Sequence, residues 1–151
     1  MKPIFERMMV GSAMTLASDV IPQIKEGSYA AGNSGMIAGL LFMMSQEVDR
    51  AADRLIRENI AMRALFDRAS GENTLPQLLQ EKLLAGSKLV DSSYKISDLE
   101  ACNAELNGVL IVLHEFVETS AQPWAAKVNA EIWTMLEKSA EERSLVFPDL
   151  S

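Results

Sequence analysis

Residues 97–116, SDLEACNAELNGVLIVLHEF, decide the fold. Leu99, Cys102, Leu106, Val109, Leu113 and Phe116 recur at alternating steps of three and four, which lines one side of an α-helix with apolar groups. Ser97 and Glu100 stand ahead of that seam as S-x-x-E, the capping-box pattern, with Ile96 placed to act as its hydrophobic staple.

The same helical period extends outward in both directions. Downstream, a helix is expected from Pro123 to near Arg143, carrying Val128, Ile132, Met135 and Leu136, with Trp133 beside the stripe and in the core. Upstream, the unpatterned stretch from Ser87 to Lys95 reads as a loop. A short helix before it starts after Thr74 with Leu75 and Pro76 and ends near Gly86. A long helix is expected from Ser34 to Ala69, capped by Asn33 or Ser34, with the stripe Ile37, Leu41, Met44, Val48, Ala51, Leu55, Met62 and Phe66 broken only by Glu58. At 1.5 Å per residue it would be about 50 Å long unless it bends. Its charges Asp49, Arg50, Asp53, Arg54, Arg57 and Glu58 alternate in sign, with Arg54–Glu58 and Asp53–Arg57 at i,i+4, as on a solvated face. The first helix carries Phe5, Met9, Ala13, Leu16, Val20 and Ile24. Pro3 suits its first turn, Pro22 kinks it or ends it near Ile21, and Gly27 stops it.

No strand-like alternation of useful length interrupts this pattern. The short connections around Gly71 and Ser120 make consecutive helices antiparallel neighbours. The expectation is an all-α domain over residues 1–143, an up-down antiparallel helical bundle of four long helices plus one short helix, followed by a C-terminal tail at 144–151.

Composition bounds the partners. Fourteen basic against twenty-one acidic residues give a net charge of −7, which repels phosphate, so nucleic acid and anionic membrane surfaces are excluded as expected partners. The apolar run from Met8 to Ala17 follows Lys2, but Glu6 spoils a signal-peptide n-region and no A-x-A site follows. No apolar run reaches the ~20 residues of a membrane span. The lone Cys102 leaves no disulfide framework and fits a reducing compartment, so the expected location is cytoplasmic.

Candidate sites are few. Gly27-Ser-Tyr-Ala-Ala-Gly32-Asn33-Ser34 has the spacing of a phosphate-binding loop but Asn33 where a lysine is needed and a helix where a strand should precede, so it reads as a connection ending in a helix cap. His114, Glu115 and Glu118 form the one polar cluster with metal-ligand or acid–base character. The chain holds a single histidine, and relative to the seam these three point outward, so no metal or other cofactor is expected. Cys102 on the seam, between Glu100 and Glu105, reads as a small buried hydrophobe rather than a nucleophile.

Two stretches are apolar nearly all round, Met36–Met44 and Val109–Leu113, and each should be covered on every side. Met36, Phe42, Met43 and Ile111 are therefore candidate interface residues, and Trp124, just after Pro123, either caps the bundle end or sits exposed at an interface. The expectation is a non-enzymatic helical interaction protein, either a homodimer or a small accessory subunit. The alternative is a binder of an apolar or acyl ligand between helices, since Met8, Met9, Met14, Met36, Met43, Met44 and Met62 suit an adaptable pocket. An enzyme using His114 with Glu115 or Glu118 is the third reading.

Overall fold

The computed structural model describes residues 4–146, the side chain of Asp49 excepted, and every regular element among them is helical. Pro3 and the last five positions of the expected tail, 147–151, lie outside the described residues. The helices are α1 (Phe5–Thr15), α2 (Tyr29–Ser70), α3 (Gln77–Ser87), α4 (Ile96–Thr119) and α5 (Pro123–Arg143). None of them is long and apolar enough to cross a membrane. The chain divides into two compact units, one of residues up to Ala51 together with the segment from Ser144, the other Ala52–Arg143, so the boundary falls inside α2.

In the first unit, α1 loosens into a π-helical turn at Leu16–Val20 and then tightens into a 3-10 turn at Ile21–Gln23. Pro22 lacks an N–H and cannot continue an α-helical ladder, so the chain leaves the helix where the sequence predicts. Gly27, at φ +71°, makes the left-handed turn that a side chain would strain. The next step corrects the sequence reading. Ser28 Oγ accepts the Ala31 N–H at 3.2 Å, so it caps α2, which starts at Tyr29 and not at Ser34. Asn33 and Ser34 lie inside the helix, and the resemblance to a phosphate loop vanishes with the loop. What this unit buries is small, Ala13, Ala38, Ser45 and Ala51 among them. The segment Ser144–Val146 is held by side chains of α2: Gln46 donates to the Val146 carbonyl at 2.7 Å and accepts its N–H at 3.0 Å, while Arg50 donates to the Ser144 carbonyl at 2.7 Å.

The second unit has a conventional apolar core in which Phe66, Leu83, Leu99, Leu106, Leu113 and Ile132 are sealed from solvent. A Cβ added to Gly86 would stand 3.0 Å from the Phe66 ring, so α3 reaches α2 here only because residue 86 has no side chain. The α4 seam is shifted from the expected one. Leu99, Leu106 and Leu113 are buried as anticipated, but they alternate with Asn103, Leu110 and Val117, while Cys102, Val109 and Phe116 sit at its edge. A seam one residue over satisfies the same three–four rhythm, and it needs a polar residue inside.

Three further expectations fail here for local reasons. The Ser97–Glu100 capping box does not form, because α4 begins at Ile96 and carries Ser97 into its first turn. No side chain caps the first turn; Ser93, two residues before the N-cap Lys95, accepts the Lys95 N–H at 3.1 Å and donates to Asp98 at 2.6 Å, and Ile96 is exposed. Trp133 is 56% exposed rather than core, since Ile132 and Val128 take the inward positions of α5. Finally, Arg54 and Glu58 do not belong to a solvated face: Arg54 is 8% exposed and the Glu58 carboxylate is nearly enclosed.

Candidate functional site

The second unit encloses one extended polar cluster, and its centre is Glu58, the residue that breaks the apolar stripe of α2. Its Oε1 accepts from Ser139 Oγ at 2.7 Å and Arg143 Nε at 3.1 Å. Its Oε2 accepts from Arg143 Nη2 at 2.6 Å and Asn103 Nδ2 at 3.2 Å. Arg54 Nε lies 4.0 Å away, one helical turn back as the sequence spacing predicts. Burial pushes the Glu58 carboxyl up, but the hydrogen bonds from Arg143 and Ser139 and the charges of Arg143 and Arg54 outweigh it and hold the group below its ordinary value.

One residue on, Asn59 is fully buried and carries the cluster to the loop before α4. Its amide donates to Asp91 at 2.8 Å and to the Leu99 carbonyl at 3.3 Å, and its oxygen accepts from Asn103 at 2.9 Å. Asn107 closes the chain by donating to the Asn103 side chain at 2.8 Å and to its carbonyl at 2.9 Å. Arg63 pairs with Asp91 and approaches Cys102 Sγ at 3.7 Å, while its Nε is buried without a hydrogen-bond partner among the described residues. Burial raises the Asp91 carboxyl, yet Arg63 and Asn59 bring it below the usual range.

Its partners hold Glu58 and Asp91 toward their charged form, and the amides of Asn59, Asn103 and Asn107 donate to those carboxylates, to one another and to the Leu99 and Asn103 carbonyls. Cys102 does have a cation beside it, which the sequence reading does not foresee. Its thiol is nonetheless pushed up, first by burial and then by Asp91, so it is a poor nucleophile. No trio of histidine, cysteine or carboxylate side chains among the described residues could hold a metal ion.

The predicted cluster on α4 divides. His114 does not point outward; Nε2 faces Asn129 Oδ1 of α5 at 3.0 Å and Glu118 Oε1 at 3.5 Å, and the ring meets Trp133 edge-on with centroids 5.4 Å apart. Glu115 lies elsewhere, in the wall of an open groove of about 340 Å³ between α3 and α4, with Leu79, Val112 and Phe116 in its lining.

Of the candidate interface residues, Met36 and Ile111 are 60% and 66% exposed, while Phe42 and Met43 are half-buried. Trp124 stacks on Phe116 at 6.1 Å and donates its indole N–H to Thr74 at 2.8 Å, an internal use of its one polar group. The methionines do not converge on a pocket. Met8, Met14, Met36 and Met44 are exposed in the first unit, and Met62 is core in the second. A partly open space of about 50 Å³ beside Met62, Leu110 and Met135 is also lined by the polar residues Glu58, Asn103 and Arg143. Asn59 and Asn103 each stand at a core register position with apolar residues three and four away, the one sequence signal of their burial. No protein-family model, curated protein or solved structure matches this chain.

Proposed function

We propose that this chain is a non-enzymatic helical interaction protein, acting as a homodimer or as a small accessory subunit, and that α2 supplies its binding face. The observation carrying this reading is one stripe. Tyr29, Met36, Ile37, Leu40, Met44 and Val48 follow one another at helical spacing on a single side of α2, all exposed, and residues 27–46 contain no charge. Covering each half-exposed apolar side chain is worth about 1 kcal/mol. Grouped apolar exposure of this kind marks a surface that another protein covers.

Several contacts support the up-down arrangement within the second unit. Arg57 meets Glu142 while Arg68 meets Glu131, and Gly86 sits beside Val109 while Leu79 shares a groove with Phe116, so partner helices run in opposite senses. The unpaired Cys102 thiol supports a reducing, cytoplasmic setting.

Light scattering across a dilution series tests the reading, alongside Met36→Glu and Leu40→Glu. The expected result is concentration-dependent association by the parent chain that both variants abolish while keeping their helical circular dichroism. Association unaffected by these variants, or a parent chain that is monomeric at every concentration and in every complex isolated with it, overturns it.

A further inference from the structure

The segment after α5 has a heading as well as an anchor. Arg50 holds the Ser144 carbonyl, and Gln46, one helical turn earlier in α2, holds both main-chain groups of Val146. Two residues of non-helical chain therefore pass over one turn of helix, toward the start of α2. The pace suits an extended chain lying antiparallel to a helix, about 6.6 Å of one against about 6 Å of the other.

Beyond Gln46 the same line of α2 runs through Met43, Gly39, Met36 and Gly32, at alternating steps of three and four. A Cβ built on Gly39 or Gly32 meets nothing within 4 Å, so the helix backbone lies open there. Met43 is half-buried and Met36 exposed. Met36 also belongs to the apolar stripe, so this line is one edge of it.

The residues that follow Val146 are Phe147, Pro148, Asp149 and Leu150. A proline fixes its own φ at about −65° and keeps the residue before it out of the helical region, so this sequence favours a polyproline-like course. Three residues per turn and a rise of about 3.1 Å per residue put Phe147 and Leu150 on one side, about 9 Å apart, with Pro148 and Asp149 turned to the others. Met43 and Met36 are separated by about 10.5 Å along α2, so the two spacings match. Phe147 enters level with Met43 because Val146 is fixed at Gln46. A thioether against an aromatic ring is a favourable contact, and Leu150 finds an exposed methionine at the other end.

We propose that Phe147–Leu150 docks in cis along this line of α2, Phe147 on Met43 and Leu150 on Met36, as a strap over one edge of the apolar face. The occupant is the chain's own segment because the anchor delivers it at the right level and heading, and a tether of one to four residues holds it at an effective concentration on the order of millimolar or above. A second protein covers the α2 face fully only where the strap lifts. That consequence rests on the proposed function; the docking does not.

Methyl NMR on the full chain with labelled methionines tests it, at the dilute and the concentrated ends of one dilution series. Phe147→Ser should move the Met43 methyl most and Leu150→Ser the Met36 methyl, while Met62, in the core of the other unit, does not move. Gln46→Ala should move the Met36 methyl in the same sense as Leu150→Ser, since it releases the strap far along the helix from Met36. Each variant should also tighten self-association by the inverse of the fraction of chains whose face is open, at least about twofold where half or more are strapped. Methyls that ignore Phe147 and Leu150 overturn the inference. Shifts that appear only at the concentrated end also overturn it, by assigning the segment to a second copy. Shifts without tightening uphold the strap and count against α2 as the association face, whereas dissociation by the α2 variants with no strap shifts does the reverse.

Discussion

Replacing Asn59 by alanine should cost the protein about 3 kcal/mol. The side chain is fully buried and makes three hydrogen bonds, to Asp91, to the Leu99 carbonyl and from Asn103. Each such bond contributes on the order of 1 kcal/mol net, and a buried partner left unsatisfied costs about 1–3 kcal/mol. Not all partners are orphaned. Asp91 retains Arg63, and the Asn103 amide retains Glu58, which keeps the expected loss near the sum of the bonds rather than above it. Urea denaturation followed by circular dichroism gives the number, and an unchanged m-value would show that the native and denatured states kept their compactness. Asn103→Ala should cost a comparable amount. The double variant should fall short of the sum by about 1 kcal/mol, because the bond between the two residues is then counted once. A loss under about 1 kcal/mol for Asn59→Ala, or strict additivity in the cycle, would refute the claim that these amides act as one buried network.

Acid should unfold this protein through the same cluster. Glu58 and Asp91 both titrate below their ordinary values in the folded chain, so the stability they contribute is present above the unfolded pKa and is lost as pH falls through the lower folded one; denaturation midpoints should drop below about pH 4, and less steeply in Glu58→Gln. At Gly86, valine should overpack against Phe66 and cost roughly 1–3 kcal/mol, whereas Gly108→Ala, which meets open space in α4, should stabilise by up to about 1 kcal/mol in the same assay. The corrected seam makes a paired prediction: Leu110→Ala should cost about 2–5 kcal/mol and its neighbour Ile111→Ala no more than about 0.5 kcal/mol in thermal or urea unfolding.

Helix content, the breaks at Pro22 and Gly27, and the span of α5 were legible because each rests on covalent constraints or on local periodicity. Register was harder. The rhythm of α4 fits Val109 or Leu110 equally well, and the choice turns on whether Asn103 or Cys102 can be satisfied inside, which depends on Asn59 far away in sequence. Cap assignment failed for a related reason. Ser28 and Ser34 are equivalent candidates by type, and Ser28 wins because it lies just outside the first turn that packing selects; at α4, Ser97 falls inside the first turn and no side chain caps it. Glycine spacing also misled at the start of α2, where the helix propensity of Ala30 and Ala31 carries the helix back through residues that resemble a glycine-rich loop. The polar cluster was hidden because its charges, Arg54 and Glu58, alternate as surface charges do. Only the burial supplied by α4 and α5 distinguishes them from Asp53 and Arg57, which form the exposed pair the sequence suggests.

Gln46 engages Val146 only through that residue's own amide and carbonyl, the two groups that every amino acid except proline presents identically. The anchoring is therefore blind to what occupies position 146. Mutational drift there should pass without consequence, with proline the one forbidden letter, whereas position 46 tolerates no replacement that cannot donate and accept at once. Information about how residue 146 is fastened is stored a hundred residues upstream of it.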